Sequence, residues 1–236
     1  MYFQHSADVW RDFPALVPGV LYAQGITSDV STGSAADRFA AIAKSRLAAG
    51  PESELPEIQA WRRAFAAMGL KPTQYRCASE SLLRRFRKEG SLPRLHPLVD
   101  LCNAISIAFA IPVAVLDAAR IGWPLEVRYA AGDEDYLTFG GDTEHPAVGE
   151  VIFADQAGQA HARRWTNRQS GQSAVRDTTT NVLIVAEALH KTAAADVTEL
   201  MAAVTGELTA LWSAPSPTAM LTATAPRFAF QLSNLT

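Results

Sequence analysis

Long hydrophobic runs are absent from this sequence, and none approaches the roughly 18 residues that a membrane helix needs. The first residues, MYFQHSADVW, lack the basic and apolar regions of a signal peptide. Only two cysteines are present, Cys77 and Cys102, which are too few for a disulfide framework. We therefore expect a globular protein of the reducing cytoplasm, with no membrane partner, in which both cysteines serve packing.

Familiar catalytic signatures are missing as well. The sequence contains no GxSxG, HExxH, Walker A or Rossmann glycine motif. Its histidines do not have the spacing of metal ligands; they are His5, His96, His145, His161 and His190. We therefore expect no bound metal and no cofactor.

Acidic residues are absent between Arg163 and Arg176, a stretch that carries four arginines. The stretch from Arg76 to Arg94 is similarly basic, with six cationic residues and two acidic ones. Each stretch has a charge of +4, so the rest of a chain with net charge −3 carries −11. Side by side, the two stretches would form a basic face for phosphate groups; apart, they would be two separate solvated faces.

Hydrophobic periodicity indicates that most helices precede most strands. Apolar residues at spacings of three and four predict helices at 34–49, 54–68, 79–89, 97–110 and 194–212. Shorter apolar runs predict strands at 20–26, 113–116, 125–130, 136–139, 151–154, 159–165 and 181–188. The absence of βαβ alternation indicates an α+β fold, with a helical N-terminal part packed on a mixed sheet or partial barrel and a C-terminal amphipathic helix. We expect one domain at 1–212 and a tail at 213–236, in which residues 227–232 favour an edge strand.

The helix predicted at 97–110 is apolar nearly all round, which indicates that it is buried. Asp100, Asn103 and Ser106 interrupt it at spacings of three and form one polar stripe. Because buried polar groups need hydrogen-bond partners, the stripe faces either other groups of the protein or a pocket. The sequence leaves both interpretations open.

Residues 162–173, ARRWTNRQSGQS, place a tryptophan among arginines and amides. Trp165 is either a core anchor at the end of a strand or a platform that stacks on a nucleobase. Arg164 and Arg168 either form salt bridges with the acidic remainder or bind a ligand. We favour a ligand, because two arginines that flank a buried ring need a defined partner.

Four motifs follow one another in a recognisable order. They are YRCASE at 75–80, LPRLHPLVDLCNAIS at 92–106, GEVIFAD at 149–155 and RRWTNRQS at 163–170. Over residues 9–190 the chain resembles the B3/B4 domain, the editing module of the phenylalanyl-tRNA synthetase β subunit, and its free-standing relatives. The resemblance implies hydrolysis of the ester between a wrongly attached amino acid and the 3′ end of its tRNA.

Single residues can be compared with those of the family. Asn103 matches the asparagine of the family's DxTN helix, and Gly141 matches the second residue of its DG turn. Ala114 stands where the family's GQPLHAFD motif has a pocket histidine. The glutamate of the family's GGE motif has no acidic counterpart, since Gly171 or Gln172 lies nearest.

The sequence thus predicts a trans-acting deacylase that binds the aminoacylated acceptor end of a tRNA. Its pocket is expected between the polar stripe and the segment 164–169. Ester hydrolysis needs an oriented water and a stabilised oxyanion, and we assign these tasks to Asn103, Arg168 and Gln169. We assign substrate contacts to Asp100, Ser106, Gly141, Trp165 and Asn167, and phosphate contacts to Arg76, Arg84, Arg85, Arg87, Lys88 and Arg164. The alternatives are a non-catalytic binder of tRNA or of an amino acid, and a structural partner that docks through the C-terminal helix.

Overall fold

Three β-sheets and six α-helices form the chain in the computed structural model, which describes residues 1–214 and 216–231. The helices are α1 (Ala7–Asp12), α2 (Gly33–Ala49), α3 (Pro56–Ala67), α4 (Ala78–Glu89), α5 (Pro97–Phe109) and α6 (Ala193–Trp212). The strands are β1 (Tyr2–His5), β2 (Val17–Gln24), β3 (Val113–Asp117), β4 (Leu125–Tyr129), β5 (Tyr136–Leu137), β6 (Thr143–Glu144), β7 (Val151–Asp155), β8 (Ala160–Arg163), β9 (Arg168–Gln169), β10 (Asn181–Ala188), β11 (Thr218–Met220) and β12 (Arg227–Ala229).

The strands form a six-stranded sheet in the order β12-β1-β4-β7-β8-β9, a four-stranded sheet in the order β11-β2-β10-β3, and the hairpin β5-β6. Strands β1 and β4 are parallel, whereas the other pairs of the six-stranded sheet are antiparallel. The α+β class predicted from the sequence is confirmed. Neither larger sheet closes into a barrel within residues 1–214 and 216–231, so the mixed-sheet form of the prediction is the correct one.

Strand β10 is buried on both faces, which explains its nearly continuous apolar sequence, NVLIVAEA. Val182 and Ile184 on one face belong to the core formed with α5 and α6. Leu183 and Val185 on the other face belong to a second core, which contains Trp165. The helix predicted to be buried, α5, therefore covers one face of the four-stranded sheet. Each large apolar side chain buried in this way contributes roughly 1.5–3 kcal/mol to stability.

The strand predicted at 159–165 ends two residues early, at Arg163. Arg164 and Trp165 have φ values of 45° and 57°, a left-handed backbone that residues with a side chain rarely adopt. The reversal directs the indole inward, and the backbone N–H of Trp165 donates to the carbonyl of Val151 at 2.7 Å. The chain then returns as β9, which was not predicted. Burial of the large ring outweighs a strain of roughly 1–2 kcal/mol per left-handed residue.

The chain after α6 adds a strand to each larger sheet. Residues 213–226, expected to form a loop or tail, contain β11, which pairs with β2. Strand β12 pairs with β1 and confirms the predicted edge strand at residues 227–229. Phe230 and Gln231 follow it outside the strand, and Leu232 lies outside the described residues. Leu221, Phe228 and Phe230 are buried in the core that contains Trp165. A domain boundary near residue 212 stays a prediction.

The buried residue Glu187, near the end of β10, contacts three other parts of the chain through its carboxylate and its backbone carbonyl. Oε1 of Glu187 accepts a hydrogen bond from Nε1 of Trp165 at 2.9 Å and lies 2.7 Å from Nε2 of His5. The backbone carbonyl of Glu187 accepts from Nε1 of Trp61 on α3 at 3.2 Å. Because a buried carboxylate is costly without partners, these bonds fix both the glutamate and the Trp165 ring.

A second buried polar group fastens the loop after β9 to the hairpin formed by β7 and β8. Oδ2 of Asp155 lies 3.0 Å from Nε2 of His161, and Nδ1 of that ring lies 2.8 Å from Oγ of Ser173. These residue types are those of a hydrolytic triad, but all three side chains are buried away from any substrate. Burial opposes ionisation of Asp155, yet hydrogen bonds from His161 and from the backbone of Gln159 and Gly122 lower its pKa.

The substitution Trp165→Phe is expected to lower the free energy of unfolding by about 1–3 kcal/mol, because it leaves Oε1 of Glu187 without its indole donor in the interior. The matched control is Trp212→Phe, which removes an indole donor to the carbonyl of Thr27 at an exposed site. There water replaces the lost bond, and we expect a change below about 0.5 kcal/mol. Urea unfolding measures both values. Equal losses in the two variants would contradict the anchoring role of Trp165.

Stability is expected to fall in acid through Asp155. Since folding lowers the pKa of this carboxyl, its contribution is present at neutral pH and is lost as pH drops below about 4. The deficit of Asp155→Asn relative to the unsubstituted protein should therefore shrink between pH 6 and pH 3. Ser173→Ala cuts the same network without removing a carboxylate, so its deficit should be similar at both pH values. Urea midpoints at the two pH values test this difference.

Candidate functional site

Arg163, the first residue of the acid-free stretch, is buried against two acidic residues from elsewhere in the chain. Its guanidinium donates to both carboxylate oxygens of Glu150 at 3.0 Å and to Glu144 at 2.5 Å. Burial works against ionisation of Glu150, but the bonds from Arg163 and from the backbone N–H of Arg164 lower its pKa. Part of the +4 charge of this stretch is thus neutralised locally.

The next two residues pack against aromatic rings. The guanidinium carbon of Arg164 lies 4.6 Å from the centre of the Tyr75 ring, a cation–π contact. Trp165 has none of its surface exposed, and its ring meets Phe13 and Trp61 edge-on at 4.8 and 5.0 Å. This burial fits the core-anchor interpretation of Trp165 and leaves no face for a nucleobase.

The two basic stretches meet at the start of α4. The side chain of Asn167 donates to the backbone carbonyl of Arg76 at 2.7 Å. The backbone N–H of Ala78 donates to the carbonyl of Thr166 at 2.8 Å. The side-by-side arrangement, one of the two alternatives left by the sequence, is therefore present at this junction. Asn167 is held by the protein itself.

Salt bridges reduce the positive charge of the stretch around α4. Arg84 and Lys88 are exposed and form no salt bridge within the described part of the chain. The other four cations have acidic partners: Arg76 with Glu80, Arg85 with Glu89, Arg87 with Glu52, and Arg94 with Asp37 and Asp100. The strongest remaining positive charge on α4 is thus at Arg84 and Lys88.

An apolar cavity opens beside the buried indole; we call it the Trp165 cavity. Its volume is about 440 Å³ including the open mouth. Its mouth is lined by Asn167, Arg168 and Gln169, and Glu187 is the one carboxylate on its wall among the described residues. The remaining lining is mainly apolar and includes Val113, Ala114, Leu116, Phe153, Ala162 and Val185.

A second cavity lies beside α5; we call it the Asn103 cavity. Its volume is about 660 Å³ including its opening, and Gln169 and Val113 line it as well as the Trp165 cavity. Nε2 of Gln169 donates to the carbonyl of Val115 at 2.8 Å, so strand β3 fixes the side chain between the two cavities. Asn103 of the polar stripe and Gln169 of the arginine-rich segment thus line the same cavity.

Arg168 lies at the edge of this pair of cavities. Its side chain is 43% exposed, with Nη1 3.3 Å from Glu144 and the guanidinium carbon 5.4 Å from the centre of the Tyr136 ring. Arg168 lines the Trp165 cavity, whereas Asn103 lines the neighbouring one. The two residues do not share a cavity, but Gln169 connects them.

The residues of the polar stripe of α5 differ in their surroundings: Ser106 and Asp100 bond to groups of the protein, whereas Asn103 lines the Asn103 cavity. Oγ of Ser106 donates to the carbonyl of Ile111 at 2.6 Å, and Asp100 accepts from the backbone N–H of Leu95 at 2.8 Å. These bonds shape the two ends of α5, and neither residue lines the Trp165 or the Asn103 cavity. Asp100 lines a separate cavity between α5 and α2, so of the three stripe residues only Asn103 meets the cavities around Gln169.

The β5-β6 hairpin places Gly141 in an exposed turn with φ of 94°, where glycine is favoured. Gly141 lines none of the cavities around Gln169, but Phe139 in the same turn does. Phe139 is 74% exposed at the rim of the Asn103 cavity. Neither Phe139 nor Glu187 was predicted. The position of Phe139 directly before Gly140-Gly141 was the sequence feature that could have indicated an exposed aromatic residue in a turn.

Three residues of metal-ligand type lie close together away from these cavities, although the histidine spacing did not predict such a cluster. They are Glu57, His190 and Asp196. Nε2 of His190 lies 2.6 Å from Asp196, and Arg46 donates to Glu57 at 2.7 Å. The cationic guanidinium beside Glu57 disfavours a metal ion there.

The cysteines are unpaired and buried, and burial raises the pKa of each thiol to about 12, which fits their predicted packing role.

Comparison with known proteins identifies similar sequences. Residues 60–204 match the family described as "B3/4 domain". The phenylalanine–tRNA ligase beta subunit of Mannheimia succiniciproducens is 31% identical over 64 residues, 27% of this chain and 8% of that subunit. The subunit of Haemophilus influenzae is 26% identical over 89 residues, 38% of this chain and 11% of that subunit. The chain thus spans about a tenth of the length of these relatives.

Among solved structures, an N-terminal fragment of the phenylalanyl-tRNA synthetase beta-subunit from Pyrococcus horikoshii is similar. The similarity covers 91% of this chain and 49% of the fragment, with a TM-score of 0.48 and 9% sequence identity. None of the described helices is long and apolar enough to cross a membrane.

The family match begins and ends later than the 9–190 range expected from the motifs. It covers more than half of the 236 residues and includes all residues that line the Trp165 and Asn103 cavities. The chain therefore belongs to the B3/4 domain family.

Proposed function

We propose that the protein is a trans-acting deacylase of mischarged aminoacyl-tRNA. Water adds to the carbonyl of the ester at the tRNA 3′ end, the ester C–O bond breaks, and the products are a free amino acid and a tRNA with a terminal hydroxyl. The relatives named as phenylalanine–tRNA ligase beta subunits connect the family to an aminoacylated tRNA. A cytoplasmic location is part of the proposal.

The observation that carries this proposal is the pair of unlike cavities that meet at Gln169. The Trp165 cavity has mainly apolar walls and suits the side chain of an amino acid. The Asn103 cavity has polar groups within and the exposed ring of Phe139 at its rim, so it suits a ribose with a stacked nucleobase. The ester that links the two parts would lie beside Gln169.

Charge and hydrogen bonding at the junction fit ester hydrolysis. The exposed guanidinium of Arg168 can stabilise the negative charge that develops on the carbonyl oxygen. The amides of Gln169 and Asn103 can orient the ribose or the attacking water. Hydrolysis by water requires no protein nucleophile.

Phosphate groups of the acceptor stem would lie along α4. Arg84 and Lys88 are its exposed cations without salt bridges among the described residues, and α4 begins next to Asn167. In this proposal Arg84 and Lys88 contribute more to tRNA affinity than Arg85 or Arg87, whose charges are paired. Arg76 and Arg164 serve mainly to hold the junction.

A second function, binding without catalysis, is favoured by one observation. Ala114 lines the Trp165 cavity where the family has a histidine, and the carboxylate of Glu187 there is already bonded to Trp165 and His5. Binding of tRNA without release of amino acid would support this function over the deacylase.

Arg168→Ala is expected to slow deacylation by about 100-fold or more, since it removes a charge that stabilises the oxyanion. Asn103→Ala should slow it by about tenfold or more through lost orientation. Release of labelled amino acid from a panel of purified mischarged tRNAs measures both. Arg38→Ala is the control, because Arg38 is an exposed arginine on α2 that pairs with Glu207. No release above background by the unsubstituted protein would refute the enzyme.

The double variant Arg84→Gln/Lys88→Gln is expected to weaken tRNA binding and to reduce its salt dependence. If each cation neutralises one phosphate, the slope of log affinity against log salt should fall by about 0.7–0.9 per residue. The control Arg38→Gln/Lys191→Gln changes the net charge equally at other exposed positions. Filter binding over a salt series measures the slopes, and equal slopes for the two double variants would count against a phosphate site on α4.

A further inference from the structure

His96 immediately precedes α5 and is its N-cap residue. Its Nδ1 accepts a hydrogen bond from the backbone N–H of Leu98 at 3.2 Å. The residue is 4% exposed, and it lines the Asn103 cavity together with Asn103, Phe139 and Gln169. No role was assigned to it from the sequence, where it stands only as one residue of LPRLHP.

The bond from Leu98 determines where the ring carries its proton. Because Nδ1 accepts, the proton of the neutral imidazole is on Nε2. Burial lowers the pKa of His96, against the opposing effect of the carboxylates of Asp177 and Asp100, so the ring is neutral at neutral pH. His96 therefore presents a single N–H donor.

That donor has no partner within the described part of the chain. Among the described residues, no atom accepts a hydrogen bond from Nε2 of His96. Buried polar atoms nearly always have a partner, and the exceptions often mark a place for a ligand. Capping of α5 explains the hydrogen bond that Nδ1 accepts, but it gives no role to the N–H at Nε2. Serine, asparagine or aspartate would cap the helix equally well.

We infer that His96 is a ligand-binding residue, whose Nε2–H donates to an oxygen atom of the molecule bound in the Asn103 cavity. The inference rests on the proposed function, in which this molecule is the terminal nucleoside of an aminoacylated tRNA. A neutral N–H donor suits a ribose or carbonyl oxygen, since it orients that oxygen through a hydrogen bond and carries no positive charge. His96 thus adds a donor to the cavity that Phe139 also lines, and with Asn103 and Gln169 it gives the cavity polar groups from α5 and β9.

Two substitutions separate the cap from the ligand contact. His96→Asn keeps an acceptor at the position of Nδ1, because the asparagine side chain is short and is a preferred N-cap, but it removes the donor at Nε2. His96→Gln does the reverse, since its longer side chain carries an N–H toward the position of Nε2 and is a poor cap. The pair therefore distinguishes binding from stability.

The probes are adenosines that carry an amino acid through a 3′-amide in place of the hydrolysable ester, in a panel of apolar, polar and aromatic amino acids. Isothermal titration with the tightest of these should show His96→Asn about tenfold weaker than the unsubstituted protein, with an unchanged melting temperature. His96→Gln should lower the melting temperature and bind within about threefold of the unsubstituted protein. A ¹⁵N spectrum of the histidines should place the His96 proton on Nε2 and shift that signal on probe binding.

The results separate this inference from the proposed function. If the unsubstituted protein binds a probe and His96→Asn binds it equally well, the role of His96 is refuted while the proposed function stands. If the His96 proton lies on Nδ1, the inference is refuted as well. If the unsubstituted protein binds none of the probes, the proposed function fails and the role of His96 fails with it.

Discussion

One buried carboxylate holds the interior of this domain together. Glu187 is the next-to-last residue of the central strand β10, and its Oε1 is bonded to the indole of Trp165 and the imidazole of His5. An unpaired carboxylate in this position would be strongly destabilising, so the three side chains have to be placed as a unit. The N-terminal strand, the central strand and the reversal at Arg164 and Trp165 therefore depend on each other.

The candidate site follows from that constraint. With the indole fixed in the core, the chain must turn at Trp165 and return as β9, which brings Arg168 and Gln169 to the mouths of the two cavities. The bond from Gln169 to the carbonyl of Val115 ties β9 to β3. Gln169, which is proposed to act on a ligand, is thus held by a strand and a hydrogen bond, which is the arrangement that precise positioning requires.

Periodicity revealed the regular elements because their burial is regular. Strand β10 was predicted with its observed limits, since a strand covered on both faces is a continuous apolar run. The reversal at Trp165 was not predicted, because a left-handed backbone at residues other than glycine has no sequence signal. Spacing revealed the polar stripe of α5, but it does not show that only Asn103 among the three residues lines the Asn103 cavity. For His96, the sequence shows a residue that can cap a helix, while its unpartnered Nε2 appears only once all neighbours are placed.

Charge counting along the chain overstated the basic face, and the reason bears on how a tRNA would be bound. The acidic remainder supplies Glu144 and Glu150 to Arg163, and other acids to most cations around α4. A paired arginine attracts phosphate less, because its partner's charge cancels the field at a distance. Positive potential therefore concentrates on the outer face of α4 at Arg84 and Lys88, whereas the half-exposed Arg168 shares the carboxylate of Glu144 with Arg163. In the proposed complex the phosphates of the acceptor stem would lie beside α4, and Arg168, whose charge is paired, would act on the ester only at short range.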